Sequence, residues 1–266
     1  MISHIAKYED MLTDNYRNLV KDIGENFKIH RKQWEFISII QALQDVGKIL
    51  PNNNGLGFGV GSEPLPSYFA KQGCKITATD QPLTNKNAAN WDKSNQLCIT
   101  PDSIYKPEIL DKETFDKNVL FSRMDMNWIP ILPDKFDFVW SACCLEHLGT
   151  LQHGLWFIIR TLSLLKPGGV AVHTTEFNLS SNSKTNDYHL NNIYRESDIE
   201  ILQDTVRGLG YKMEVDFSKG QHNYDKFVDG GGWPGWNDGS DGKPHINLKI
   251  DGFDATSIIL IIEKNV

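Results

Sequence analysis

The chain has no long apolar run, few cysteines and no excess of basic residues, and each shortage removes a class of function. A membrane-spanning helix needs about 20 predominantly apolar residues; the longest apolar run, SIILIIE from Ser257, is of strand length. The four cysteines, Cys74, Cys98, Cys143 and Cys144, show no C-x-x-C spacing. They read as structural thiols of a reducing compartment rather than as a disulfide framework or redox motif. Lys and Arg number 27 against 34 Asp and Glu, a net charge of -7. That balance argues against a general nucleic-acid binder, whose affinity comes mainly from phosphate neutralisation. The segment HIAKYEDMLTDNYRNLVKD is polar and mixed in charge, unlike a secretory leader. The expectation is a cytoplasmic protein with no membrane span and no nucleic-acid partner. What is present is an ordinary globular composition, 266 residues with 40% hydrophobic and 23% charged content, enough for one α/β domain with additions.

The first fifty residues read as two helices. The second, RKQWEFISIIQALQDVGKIL, sets Phe36, Ile39, Leu43, Val46 and Leu50 on one apolar face before Pro51, with Trp34 off the stripe. From Gly55 onward strand and helix patterns alternate. GLGFG, KITAT, NVLFSRM, FDFVWSA, GVAVHTT, YKMEVDF and TSIILIIE are strand candidates, and LPSYFAKQG, LQHGLWFIIRTLSLL and SDIEILQDTVRGLG are helical. Helix-separated strands run parallel; the last two, joined by a Gly- and Trp-rich loop, are expected to be an antiparallel pair. Two long connections, Trp91 to Lys117 and DGGGWPGWNDGSDGKP, have the length of functional loops.

The segment NNNGLGFGVGSEPLP, Asn52 to Pro66, carries the most information. A glycine turn between strand and helix, with a carboxylate about 20 residues on, is how a Rossmann-type sheet holds a nucleoside cofactor. Gly59 and Gly61 supply the turn and Asp80, ending KITATD, supplies the carboxylate. The pyrophosphate spacing G-x-G-x-x-G fails in both registers: Ser62 or Pro64 stands where the third glycine belongs, and Glu63 adds negative charge. A cofactor with a cationic centre and no phosphate fits better.

Read together, these marks resemble the class I (Rossmann-like) S-adenosylmethionine-dependent methyltransferases over roughly Asn52 to Glu263. GVGSEP, Asp80, RMDMNWIP, FDFVWSACCLEHLG and LLKPGGVAVHTTEF carry the resemblance. It implies a seven-stranded, mostly parallel sheet with the last strand antiparallel, helices on both faces and an N-terminal helical extension. The implied division is residues 1–51 as extension and 52–266 as methyltransferase domain, with an acceptor loop at about 225–247. HRKQWEF and TTEFNLSSN look like bacterial enzymes associated with surface-polysaccharide biosynthesis. The chain departs from the family at Gly57, where an acidic residue is common, and at Glu63, where a glycine is.

The resemblance implies S-adenosyl-L-methionine as cofactor and S-adenosyl-L-homocysteine as product. The activity expected is O-methylation of a sugar, glycan or other small hydroxylated acceptor; a non-catalytic binding protein and a nicotinamide oxidoreductase are the alternatives. Gly59 and Gly61 would meet the methionine part, and Glu63 would face the sulfonium end or cap the next helix. Asp80 would bind the ribose hydroxyls or cap a helix. Asp125 and Met126 would form the adenine pocket, with Ser141 beside the cofactor. His147, as general base, has an ordinary pKa of about 6.5; Glu176 is the second candidate and Glu146 adjoins. Both Glu146 and His147 could instead cap a helix. Glu146, His147, Glu176 and His189 have metal-ligand types but lack a second carboxylate before Glu146, and DGSDG lacks the bidentate Glu of a calcium loop, so no metal is expected. Trp233, Trp236 and His245 are expected on the acceptor side, the tryptophans stacking on a sugar, closing as a lid or packing on the domain's own surface. Trp34 and Glu35 either cover the crevice or pack against the first helix.

Overall fold

The computed structural model describes residues 2–85, 96–130, 135–188, 191–232, 237–239 and 242–265. In chain order the helices are α1 (Asp14–Asp22), α2 (Arg31–Asp45), α3 (Leu65–Lys71), α4 (Lys112–Asn118), α5 (Leu151–Leu162), α6 (Glu196–Gly208) and α7 (Asn223–Lys226). Five strands are packed side by side in parallel: β2 (Asn54–Phe58), β3 (Lys75–Asp80), β4 (Val119–Arg123), β5 (Phe136–Ala142) and β6 (Leu165–Asn178). They stand in the order β4-β3-β2-β5-β6, and β11 (Phe253–Lys264) runs antiparallel against β6. This is a doubly wound sheet whose strand order reverses at β2, the point beside which such sheets bind ligands.

The far side of β11 departs from expectation. Three short strands cover it in succession: β10 (Asn247–Ile250), β1 (Ser3–Ile5) and β7 (Tyr211–Lys212), all antiparallel to it. YKMEVDF is therefore not one strand. Its first part is β7, whereas Val215–Asp216 forms β8 and pairs with β1. With β9 (Val228–Asp229) on β10, the sheet has eleven strands among the described residues instead of seven. The residues between YKMEVDF and TSIILIIE also hold α7, β9 and β10, not a plain loop. Nor is the N-terminal segment purely helical. Ser3 and Ile5 are buried, and the Ser3 hydroxyl accepts from the Ile261 amide at 2.9 Å, which locks β1 into the sheet.

Alternation along the strands fills two cores. On one face Phe138, Trp140, Val170, Val172, Ile259 and Ile261 pack under α1, α2 and α3. On the other Leu56, Phe58, Val139, Ala171, Ile258 and Leu260 pack under α5 and α6. α2 is buried over more than its apolar stripe. Ile39 and Leu43 of the stripe are fully buried, with Phe36 and Val46 packed against the core, but Trp34, Ile37 and Ile40 are buried as well, whereas Leu50 lies past the helix end and is half exposed. Trp34 Nε1 donates to Asp10 Oδ2 at 2.8 Å, so this tryptophan packs against the N-terminal segment.

β2 contributes almost nothing to the first core because the side chains that fill its place come from β5. A Cβ on Gly55 would stand 2.4 Å from the Phe138 ring, and one on Gly57 2.3 Å from the Trp140 ring. Gly57 is thus a packing glycine, and the Trp140 indole takes the room that a side chain at position 57 would need. Gly57→Ala should lower stability by about 1–3 kcal/mol through overpacking, with urea unfolding as the measurement; wild-type stability would show that the indole has another place to go.

Candidate functional site

A cleft of about 1480 Å³ opens where β2, β3, β5 and β6 end, and the first turns of α2 form its opposite wall. Ten of the sequence-derived residues line it: Gly59, Gly61, Glu63, Asp80, Asp125, Met126, Glu146, His147, Glu176 and His245. Ser141 does not. It is fully buried within β5, where its hydroxyl pairs with His173 Nδ1 at 2.8 Å. Trp233, Trp236 and His189 fall outside the described residues.

At the glycine end, Gly59 and Gly61 have φ of 59° and 49°, a region that side chains strain to enter. Space is also short there. A Cβ on Gly61 would meet the Gln96 carbonyl at 2.7 Å, and one on Gly59 would meet Cys144 Sγ at 2.9 Å. Asp80 organises this turn. Its Oδ2 accepts from the amides of Gly61 (3.1 Å) and Cys98 (2.8 Å), and its Oδ1 from that of Gln81 (2.7 Å). Burial raises its pKa against the pull of those amides. The carboxylate expected to bind ribose therefore also fastens three backbone segments around the site. Asp125 Oδ1 accepts from the Asn127 amide at 2.9 Å, and Met126 packs beside the second core.

Glu63 caps no helix. Its Oε1 accepts from Trp140 Nε1 at 2.7 Å, and Pro64 occupies the cap position of α3. Burial pushes the Glu63 carboxyl up to about 8, partly offset by the indole donor. The indole that displaces a side chain at position 57 thus ends on the carboxyl at position 63.

Deeper in the cleft lies a buried charged cluster that the sequence did not announce as a unit. Arg31 Nη1 is 2.7 Å from Glu176 Oε1, 3.1 Å from Glu35 Oε1 and 3.1 Å from Cys143 Sγ. Lys32 Nζ lies 3.1 Å from Glu35 Oε2 and donates to the Ala142 carbonyl at 3.3 Å. Ser257 Oγ donates to Glu35 Oε1. Burial raises the Glu35 carboxyl, but Lys32 and Arg31 outweigh it and hold the group below its usual range. Glu176 goes the other way: burial, only partly countered by Arg31, brings it to about 7. Glu146 is raised by burial too, with Thr175 Oγ1 donating to its Oε2 at 3.2 Å and His147 Nε2 3.8 Å from its Oε1. Cys143 presents its thiol here from a left-handed backbone, φ 52°. Such strain in a side-chain-bearing residue concentrates at functional sites.

His245 lines the cleft, stacked on His30 with ring centroids 4.4 Å apart and with Nδ1 2.8 Å from Asp229 Oδ2. Burial lowers its pKa, opposed by Asp229. Arg31, Lys32, Cys143 and Asp229 are site residues that sequence reasoning did not single out. The one signal for the first two was Glu35, charged yet off the apolar stripe of its helix.

The strand order and the cleft at its reversal point define a Rossmann-like α/β fold. Among solved structures, the cyclase SpnF superposes with a TM-score of 0.52 at 14% identity, over 95% of this chain and 94% of that one. Similar also are a phosphoethanolamine N-methyltransferase from Haemonchus contortus in complex with S-adenosyl-L-methionine (17% identity, TM-score 0.49, 98% of this chain and 61% of that one) and a Burkholderia thailandensis 1,6-didemethyltoxoflavin-N1-methyltransferase with bound S-adenosylhomocysteine (15%, 0.45, 85% and 79%). Identities this low speak to the fold, and it is the SpnF superposition that supports it. No protein-family model and no curated protein matches the sequence. None of the helices among the described residues is long and apolar enough to cross a membrane.

Glu63 is raised in the folded protein, so its contribution to stability is complete below pH 4.5, its ordinary value, and declines as pH climbs through about 8. Glu63→Gln keeps an acceptor for Trp140 and cannot ionise. Urea unfolding between pH 5 and pH 8.5 should therefore show this variant gaining on wild type as pH rises; parallel pH profiles would place Glu63 in contact with water.

Proposed function

We propose that the chain is an S-adenosylmethionine-dependent methyltransferase acting on a small acceptor. The observation that carries this reading is the glycine turn itself, flanked by the buried carboxyls of Asp80 and Glu63. A pyrophosphate would meet the Asp80 carboxylate there, whereas a sulfonium and an ammonium would be attracted to it and would draw the raised Glu63 carboxyl toward its ionised form. The one acceptor site of Asp80 not taken by the three amides suits a ribose hydroxyl. Gly59, Gly61 and Glu63 would hold the methionine part, Asp125 and Met126 the adenine. The cofactor, when bound, supplies an already activated methyl group, so the protein's share is positioning and exclusion of water.

The finer reading is O-methylation of a hydroxylated acceptor. A neutral hydroxyl has to lose its proton, and His147 is the residue proposed to take it, with Glu176 second and Glu146 beside them. His245 and the loop carrying Trp233 and Trp236 would hold the acceptor. A sugar or glycan, as in surface-polysaccharide biosynthesis, rests on HRKQWEF and TTEFNLSSN alone.

Asp80→Asn should weaken S-adenosylhomocysteine binding about 10-fold or more, since hydrogen bonds to a charged group contribute about 1.5–3 kcal/mol. Titration calorimetry measures it directly. Unchanged affinity would remove Asp80 from the cofactor site, and no heat with wild type would overturn the cofactor assignment.

A further inference from the structure

We propose that Cys143, Glu146 and Glu176 form a binding site for one divalent transition-metal ion of the zinc class. Their ligand atoms all lie within 4.8 Å of one another, all three residues are buried, and all three line the cleft. Bonds of about 2.3 Å to sulfur and 2.0 Å to oxygen place tetrahedral ligands roughly 3.5 Å apart. The Cys143 thiol now donates to the Glu176 carboxylate, Sγ to Oε1 3.6 Å, so the two groups already meet and a metal would replace the shared proton.

The atom that points to a ligand is Glu176 Oε2. Glu176 is 6% exposed, and this oxygen is buried with no hydrogen-bond partner among the described residues. A buried carboxylate oxygen left unpaired is costly, and a cation would satisfy it. The surroundings are arranged as they are around bound metals, where outer groups fix the orientation of each ligand. Arg31 Nη1 holds Glu176 Oε1 and sits 3.1 Å from Cys143 Sγ, while Thr175 Oγ1 holds Glu146 Oε2. Each carboxylate thus has one oxygen fixed from behind and the other directed elsewhere.

Charge agrees. Arg31 and Lys32 face three carboxylates (Glu35, Glu146 and Glu176) and a thiol. Binding would release the Cys143 thiol proton to solvent, and the dication would then balance thiolate, carboxylates and the two basic side chains. A mixed sulfur and oxygen set selects zinc, cobalt or iron over magnesium or calcium. Three protein ligands leave a fourth position toward the cleft, the arrangement of a metal that polarises a small oxygen ligand.

The test needs neither cofactor nor acceptor. Protein stripped with a chelator is titrated with Co2+, then with Zn2+. Expected is one equivalent of Co2+ giving a near-ultraviolet thiolate-to-cobalt charge-transfer band that Zn2+ abolishes. Cys143→Ser should lose the band and Cys144→Ser should keep it. Thr175→Val, which leaves all three ligands in place, should weaken Co2+ binding about 10- to 100-fold. No band in folded wild type, a band that follows Cys144, or affinity unchanged in Thr175→Val would overturn the site and leave Arg31 and Lys32 as the cluster's whole counter-charge.

Discussion

The ion pair between Arg31 and Glu176, 2.7 Å long and buried, is the interaction on which the cleft depends. It joins the first turn of α2, which precedes the five parallel strands in sequence, to the strand end on β6. Through the same guanidinium α2 reaches Cys143 after β5 and Ser257 on β11. Burying these charges carries a desolvation cost that their mutual attraction repays only in good geometry, and removing one partner leaves the others stranded. The wall opposite the glycine turn is therefore held by electrostatics, in contrast to the two apolar cores beneath it.

At the glycine turn the constraint is space. Trp140 from β5 lies over β2 because Gly55 and Gly57 leave room for it and for Phe138. The same indole donates to Glu63, so a packing exchange on one face of the sheet fixes a carboxyl at the mouth of the cleft. Positions 57 and 63 are thus coupled through one side chain, the Trp140 indole.

How much of this the sequence disclosed varies with range. Alternating strand and helix patterns located all five parallel strands and β11, because each is long enough to show its period. β1 is three residues long and shows none; only the pairing of His4 with Ile259 makes it a strand. The glycine turn and Asp80 were legible because their chemistry is local. Arg31 and Lys32 were not, since charged residues in a first helical turn look the same whether solvated or buried. What distinguishes them is Glu176, reached only through the folded chain. Cys143 was hidden for another reason: a left-handed cysteine leaves no mark in a sequence.

The strip that covers β11 also orders events in time. A strand at residues 3–5 takes its place between Val215–Asp216 on one side and Ile258–Ile259 on the other, so both of its partners are synthesised long after it. Until then the ribosome-bound chain carries an unfinished sheet edge and an untethered Trp34–Asp10 contact, the kind of exposed intermediate that recruits chaperones. Contacts of such long sequence separation make for slow folding. Docking of β1 is thus a late step made by an early-synthesised segment.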